Sequence, residues 1–335
     1  MTASCAILDD SLLLPAVQAN HPSGRDYQGT FHQALRCPHC AYVRFPSPDN
    51  ALLEEFYNNE YPKYSVSWYN YESDYALYKI QERSRKVIDV LDKFGILQNA
   101  SVHEFGCAFG GTVDTLRKRG YDATGTDLNR AAISVGNAHG NNFIYPMDAV
   151  KFVREYPSPM HAIYSFHALE HFTDPFAFMK CLAESIDDNG LIITFLPSAS
   201  ARFPLIYGNM RYEWFGYPEH LHLFSAGSAE ALADRANCVL LDVASYEFGL
   251  QPEATERALR QLTPAARLLN FAPESLIGEE LLVVMAKKHS QMAKDFIHHT
   301  EIANAKSRSM AIIESQIASF NEESLLCPWT GQLVA

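Results

Sequence analysis

The chain has 335 residues, a formal charge of −12 and 47% apolar residues. These values exclude wholesale disorder and a collagen-like chain, and the acidic balance argues against a nucleic-acid partner held by phosphate neutralisation. Seven scattered cysteines, an odd number, point to a reducing, cytoplasmic compartment and not to a disulfide framework.

In chain order, Asp9 and Asp10 fall where a signal peptide would be apolar, and the apolar runs are too short to span a bilayer. Residues 1–73 read as a small irregular module. It holds Cys37-Pro-His-Cys40, a proline-rich stretch (Pro38, Pro46, Pro48) and most of a tyrosine run; seven of the 17 tyrosines lie between Tyr57 and Tyr78. Pro48 and Asp49 start a short helix over 49–58. Ile80, Ser84, Val87, Leu91 and Phe94 share one face and predict a helix over 74–94, stopped by Gly95. Strands at 101–105, 122–127, 142–145, 161–166 and 191–196 then alternate with helices at 111–119, 129–138 and 175–186. Asp174 and Pro175 open the last of these. Strands at 239–248 and 280–287 flank a helical insertion, 249–278. The rhythm predicts an α/β core over 74–288: a Rossmann-like, doubly wound, seven-stranded and mostly parallel sheet with a final antiparallel strand. Residues 289–335 form a helical tail with Phe296, Ala303, Met310 and Ile317 spaced by seven. That stripe lays the tail on the body, or pairs two copies as a homodimer.

The segment 102–129 carries the most chemistry. A strand ends in Glu104, the turn Gly106-Cys107-Ala108-Phe109-Gly110 leads into a helix, and a second strand ends in Asp127. Glycines let backbone approach a ligand, a helix N-terminus offers N–H groups, and an acid at the second strand end suits a ribose diol. A dinucleotide fingerprint would need glycine where Ala108 stands, and Glu104 suits an ammonium better than a phosphate. An amino-acid end, a ribose and no phosphate describe S-adenosylmethionine. Asp148 is placed to accept from an adenine amino group.

These pieces, together with Gly125–Asn129, Met147–Ala149, Tyr164–Pro175 and Pro218–Ser225, resemble the class I S-adenosylmethionine-dependent methyltransferases. The branch they are most similar to holds ubiquinone-type O-methyltransferases and sugar C-methyltransferases. The resemblance implies that Glu104, Gly106, Cys107, Ala108 and Gly110 hold the methionine part. Asp127 with Leu128 takes the ribose, and Asp148 with Ala149 the adenine. Ser165, Phe166 and His167 line the floor near the sulfonium. It implies methyl transfer to a small-molecule acceptor, with O-methylation favoured over C- or N-methylation. The competing readings are an NAD(P)-dependent oxidoreductase and a non-catalytic binding subunit of the same fold.

His167-Ala-Leu-Glu170-His171 also spells an inverted zinc-peptidase motif. The helix start signals come after it, so its histidines are not expected one turn apart on a helix. His171 is the first choice for a general base, with Glu170 to orient it. His220 and His222 come from the next loop, alternate on one face, and are further candidates, His220 before His222. Cys37 and Cys40 resemble half of the zinc-binding module found in front of some sugar C-methyltransferases. A second ligand pair is missing, so zinc is possible but a metal-free knuckle is favoured. Tyr64, Tyr69 and Tyr71 belong to the tyrosine-rich run, which reads either as core packing or as a lid over substrate.

Overall fold

Val102, Phe105, Ala123, Ile163 and Ile193 are buried on strands that have apolar cover on both faces, the pattern of a parallel sheet sandwiched by helices. The computed structural model describes residues 14–15, 34–37, 40–61, 73–156, 158–199, 217–246 and 278–323. A small antiparallel sheet joins β1 (Leu14–Pro15), β2 (Leu35–Arg36), β3 (Val43–Arg44) and β9 (His222–Leu223) in that order. The main sheet contains β4 (Ser101–Phe105), β5 (Asp122–Thr126), β6 (Ile144–Tyr145), β7 (Met160–Phe166), β8 (Ile186–Pro197), β10 (Cys238–Tyr246) and β11 (Glu280–Lys287). Its order is β10-β11-β8-β7-β4-β5-β6. β11 runs antiparallel to both neighbours, and the pairs among β4 to β8 are parallel. The antiparallel strand is therefore inserted between β8 and β10.

Short polar caps start the helices. Asp49 accepts from Leu52 N–H to open α1 (Asn50–Glu55), and Ser73 accepts from Ala76 N–H to open α2 (Asp74–Lys93). On one face of the sheet, Val87, Leu91 and Phe94 of α2 pack with Val113 and Leu116 of α3 (Gly111–Lys118) and Ile133 of α4 (Arg130–Ala138). The other face is covered by α5 (Ala149–Glu155), α6 (Pro175–Ser185) and α7 (Ala226–Arg235). The helical insertion 249–278 lies outside the described residues, except for its final residue Gly278.

The tail is two helices rather than one. Ser290 caps α8 (Gln291–Asp295), and Phe296 leaves helical geometry (φ −109°) with its ring 4.8 Å from that of Phe94. α9 (Ile297–Glu323) then buries Ala303 and Met310 in the same core as α7 and β10. The described part of the stripe thus faces the body of its own chain.

β5 follows β4 on one side of the sheet, and β7 lies on its other side. This reversal opens a crevice at the carboxyl ends of β4 and β7, where ligands bind in sheets of this kind. Two backbone contacts close its far wall: Leu221 N–H donates to Glu170 O, and Phe45 N–H donates to Leu221 O, both at 2.9 Å.

Candidate active site

The turn after β4 is built on left-handed residues: Gly106 (φ 71°), Ala108 (φ 49°) and Gly110 (φ 72°). A Cβ on Gly106 would lie 2.8 Å from the Ala168 methyl carbon, so glycine is needed where this turn meets the loop after β7. Ala108 carries a Cβ yet keeps the left-handed state, and Asp127 supports it. One Asp127 oxygen accepts from Ala108 N–H at 2.8 Å, the other from Asn129 N–H at 2.7 Å. Burial raises the Asp127 pKa, opposed by the N–H groups of Asn129, Ala108 and Leu128. Cys107 is buried beside Gly125, and burial raises its thiol well above the usual range.

Glu104 is buried at the end of β4, where the Tyr164 hydroxyl donates to it at 3.2 Å. Burial pushes its carboxyl up to about 8 against the pull of the Arg83 charge and the Tyr164 hydrogen bond. Arg83, on α2, sits with its guanidinium 5.1 Å from the centre of the Phe166 ring, and Phe166 stacks on Phe195 at 4.2 Å. Ser165 is fully buried, and its hydroxyl has no hydrogen-bond partner among the described residues. Asp148 caps α5 by accepting from Lys151 N–H at 3.0 Å, with Ala149 buried behind it. Leu128 is 73% exposed at the mouth of the turn.

Residues 169–171 form a single 3-10 turn, so the spacing of His167 and His171 is not that of a zinc-peptidase helix. His167 is left-handed (φ 49°), and its Nε2 donates to Glu280 Oε2 at 2.9 Å. His171 is half-buried. Its Nε2 lies 3.2 Å from the His167 carbonyl, which can only accept and favours the hydrogen on that nitrogen; the backbone of Glu219 also hydrogen-bonds the ring. Its Nδ1 lies 3.5 Å from the Tyr57 hydroxyl. Burial lowers His171 to about 4, so the ring is neutral near pH 7. The His220 ring stands edge-on to that of His171, with centroids 4.8 Å apart. Glu170 is fully buried beneath them, and neither carboxylate oxygen has a hydrogen-bond partner among the described residues. Burial raises its pKa well above the usual range. Burial also pushes the neighbouring Glu219 up to about 7. Glu170, His171 and His220 each offer one ligand atom, all within 4.8 Å of one another, a set that could also hold a metal ion.

His222 does not join this group. It sits in β9, buried, with its Nδ1 2.6 Å from the Tyr42 hydroxyl. The expectation that His220 and His222 share a face rested on one extended segment, but only His222 lies in the strand. Cys37 and Cys40 are buried in a tight turn. Ala41 is left-handed (φ 58°), Ala41 N–H donates to Cys37 O at 3.0 Å, and Cys37 N–H donates to Tyr42 O at 2.8 Å. Among the described residues, no third metal-ligating side chain joins the two thiols. Tyr64, Tyr69 and Tyr71 lie outside the described residues.

Residues 79–243 match the model of a methyltransferase domain. Residues 79–243 thus carry a methyltransferase domain. The ubiquinone biosynthesis O-methyltransferase of Chromobacterium violaceum is 21% identical over 145 residues, which cover 42% of this chain and 62% of that protein. The chain thus spans less than two thirds of that relative's length. An S-adenosylmethionine-dependent methyltransferase of Archaeoglobus fulgidus has a TM-score of 0.43 at 15% identity, covering 64% of this chain and all of the other. Magnesium protoporphyrin IX methyltransferase of Synechocystis, solved with bound S-adenosylhomocysteine, gives 0.48 at 10% identity, covering 71% and 100%.

Arg83, Glu219 and Glu280 also stand at the crevice, and no motif in the sequence singled them out, whereas Tyr57 heads the tyrosine-rich run. Arg83 precedes Ser84 on the buried stripe of α2, and Glu280 opens an apolar strand. A charge inside an apolar pattern was the available signal for both.

Proposed function

We propose that the chain transfers the methyl group of S-adenosylmethionine to an oxygen of a small-molecule acceptor, with His171 as general base. The supporting observation is the neutral His171 ring, its Nε2 engaged by a carbonyl and its Nδ1 turned toward the Tyr57 hydroxyl, with His220 alongside. The turnover of the two histidine variants tests this reading.

The residues fit the cofactor. Glu104 is a buried carboxylate held by one tyrosine hydroxyl and suits the ammonium end; Arg83, next to it, suits the carboxylate end. Asp127 keeps carboxylate lone pairs for the ribose diol while bracing the turn, and Asp148 and Ala149 lie at the adenine end. S-adenosylmethionine supplies a methyl group on a cationic sulfur, which makes it an electrophile. Phe166 and Tyr57 offer ring faces, and the turn 106–110 with Glu104 fixes the approach line for displacement. With that donor bound, His171 Nδ1 would take the acceptor's hydroxyl proton as the acceptor oxygen receives the methyl group. His220 and Glu170 surround the resulting imidazolium.

Glu104 links cofactor binding to pH. Free, its carboxyl titrates near 8 and is protonated at neutral pH. An ammonium beside it favours the carboxylate, so the complex holds fewer protons than the free protein. S-adenosylhomocysteine affinity should therefore rise with pH from 6 to 8, by at most about tenfold per unit, and level off above. Calorimetry in two buffers of different ionisation enthalpy should show proton release. Glu104→Gln should flatten both signals; a pH-independent affinity in the parent chain would contradict the assignment.

A further inference from the structure

Behind the histidine cluster lies a buried chain of charges that the methyl-transfer chemistry does not use directly. Glu280, the first residue of β11, is 1% exposed. Its Oε2 accepts from His167 Nε2 at 2.9 Å, and its Oε1 accepts from Lys86 Nζ at 2.5 Å. Lys86 reaches in from α2, also meets Glu82 at 2.8 Å, and lies 4.5 Å over the Tyr246 ring. Burial raises the Glu280 pKa, but the His167 ring and the Lys86 ammonium outweigh it and carry the group down to about 2. A helix and the inserted antiparallel strand therefore converge on one side chain of the loop after β7.

That side chain belongs to a residue in an unfavourable backbone state. A left-handed backbone is strained for a non-glycine residue and persists where its surroundings over-determine it. His167 is held at both ends: its N–H donates to Phe195 O at 2.9 Å, and its ring is tied to Glu280. The carbonyl of this pinned residue is the one that accepts from His171 Nε2.

We propose that Glu280, braced by Lys86, is a positioning residue for His171. By fixing the His167 ring it fixes the His167 carbonyl. That carbonyl favours the hydrogen of His171 on Nε2, in competition with the backbone of Glu219, which also hydrogen-bonds the ring, and so favours a Nδ1 lone pair free for the crevice. The functional consequence rests on His171 being the base; the tautomer claim itself does not, which makes the two separable.

The test is the tautomer of His171, read by long-range proton–nitrogen NMR on histidine-labelled chain saturated with S-adenosylhomocysteine. The His171 signals are assigned by their loss in His171→Ala. In the parent, His171 is expected as the neutral Nε2–H form. Glu280→Met with Lys86→Met removes the ion pair without stranding a buried charge, and should shift His171 to a mixture of both neutral tautomers. Glu280→Gln with Lys86→Met restores an acceptor for His167 Nε2 and should return the parental spectrum; a pairing role confined to stability would not distinguish these two variants. Glu280→Asp, which keeps the charge and withdraws it by one methylene, gives the same reading as the first pair should that pair not fold. An unchanged Nε2–H signal in the methionine pair or in Glu280→Asp overturns the proposal. Parental turnover in His171→Ala would instead sink the base assignment and leave the tautomer result standing.

Discussion

His171→Ala and His220→Ala should bind S-adenosylhomocysteine as the parent chain does and turn over more slowly by about 10²–10⁴-fold for His171, the usual range for loss of a positioned general base. The split follows from geometry. Glu104 and Asp127, the residues proposed for the ammonium and the ribose, stand at the ends of β4 and β5, whereas His171 belongs to the 3-10 turn after β7. His220 arrives from a different segment, tied in by the Leu221-to-Glu170 backbone bond. Its removal takes away the ring packed edge-on against His171, so a smaller loss of turnover is expected than for His171. The measurement is methyl transfer from labelled S-adenosylmethionine beside a calorimetric titration of S-adenosylhomocysteine. Unchanged turnover in both variants would remove the histidines from the chemistry.

Asp127→Ala should weaken S-adenosylhomocysteine binding by about 100-fold or more. Two hydrogen bonds from a ribose diol to a carboxylate contribute roughly 1.5–3 kcal/mol each, and each 1.4 kcal/mol is about tenfold. The same carboxylate also holds the Ala108 and Asn129 N–H groups. Its loss frees a left-handed alanine to relax, so the turn is no longer set for the ligand. Asp127→Asn keeps one acceptor oxygen and should fall between the two. An Asp127→Ala chain that binds within about threefold of the parent, a difference under 1 kcal/mol, would show that the ribose contact lies elsewhere.

Much of the methyltransferase domain was legible because it rests on local rules. Asp49, Asn129 and Asp174 cap helices as their positions suggest, and the buried stripe of α2 follows its spacing. Glu104, the glycine turn and Asp127 fall at strand ends because βαβ units bring strand ends together. What was not legible depends on long-range pairing. Lys86 and Glu280 are 194 residues apart, and His167 and Glu280 are 113 apart. No local pattern links them; the inserted antiparallel β11 does. His222 misled for a related reason. Alternation held only as far as the strand extended, and the backbone turns between His220 and β9 to reach the crevice on one side and Tyr42 on the other. Ala108 looked like a departure from the expected glycine, and the structure supplies its support from Asp127.

The most direct measurement is a crystal structure of the chain with S-adenosylhomocysteine. The account predicts the amino group on Glu104, the ribose on Asp127 and the sulfur opening toward the space between Tyr57, His171 and His220. A ligand whose sulfur faces away from that cluster, or whose amino group lies off Glu104, would contradict it.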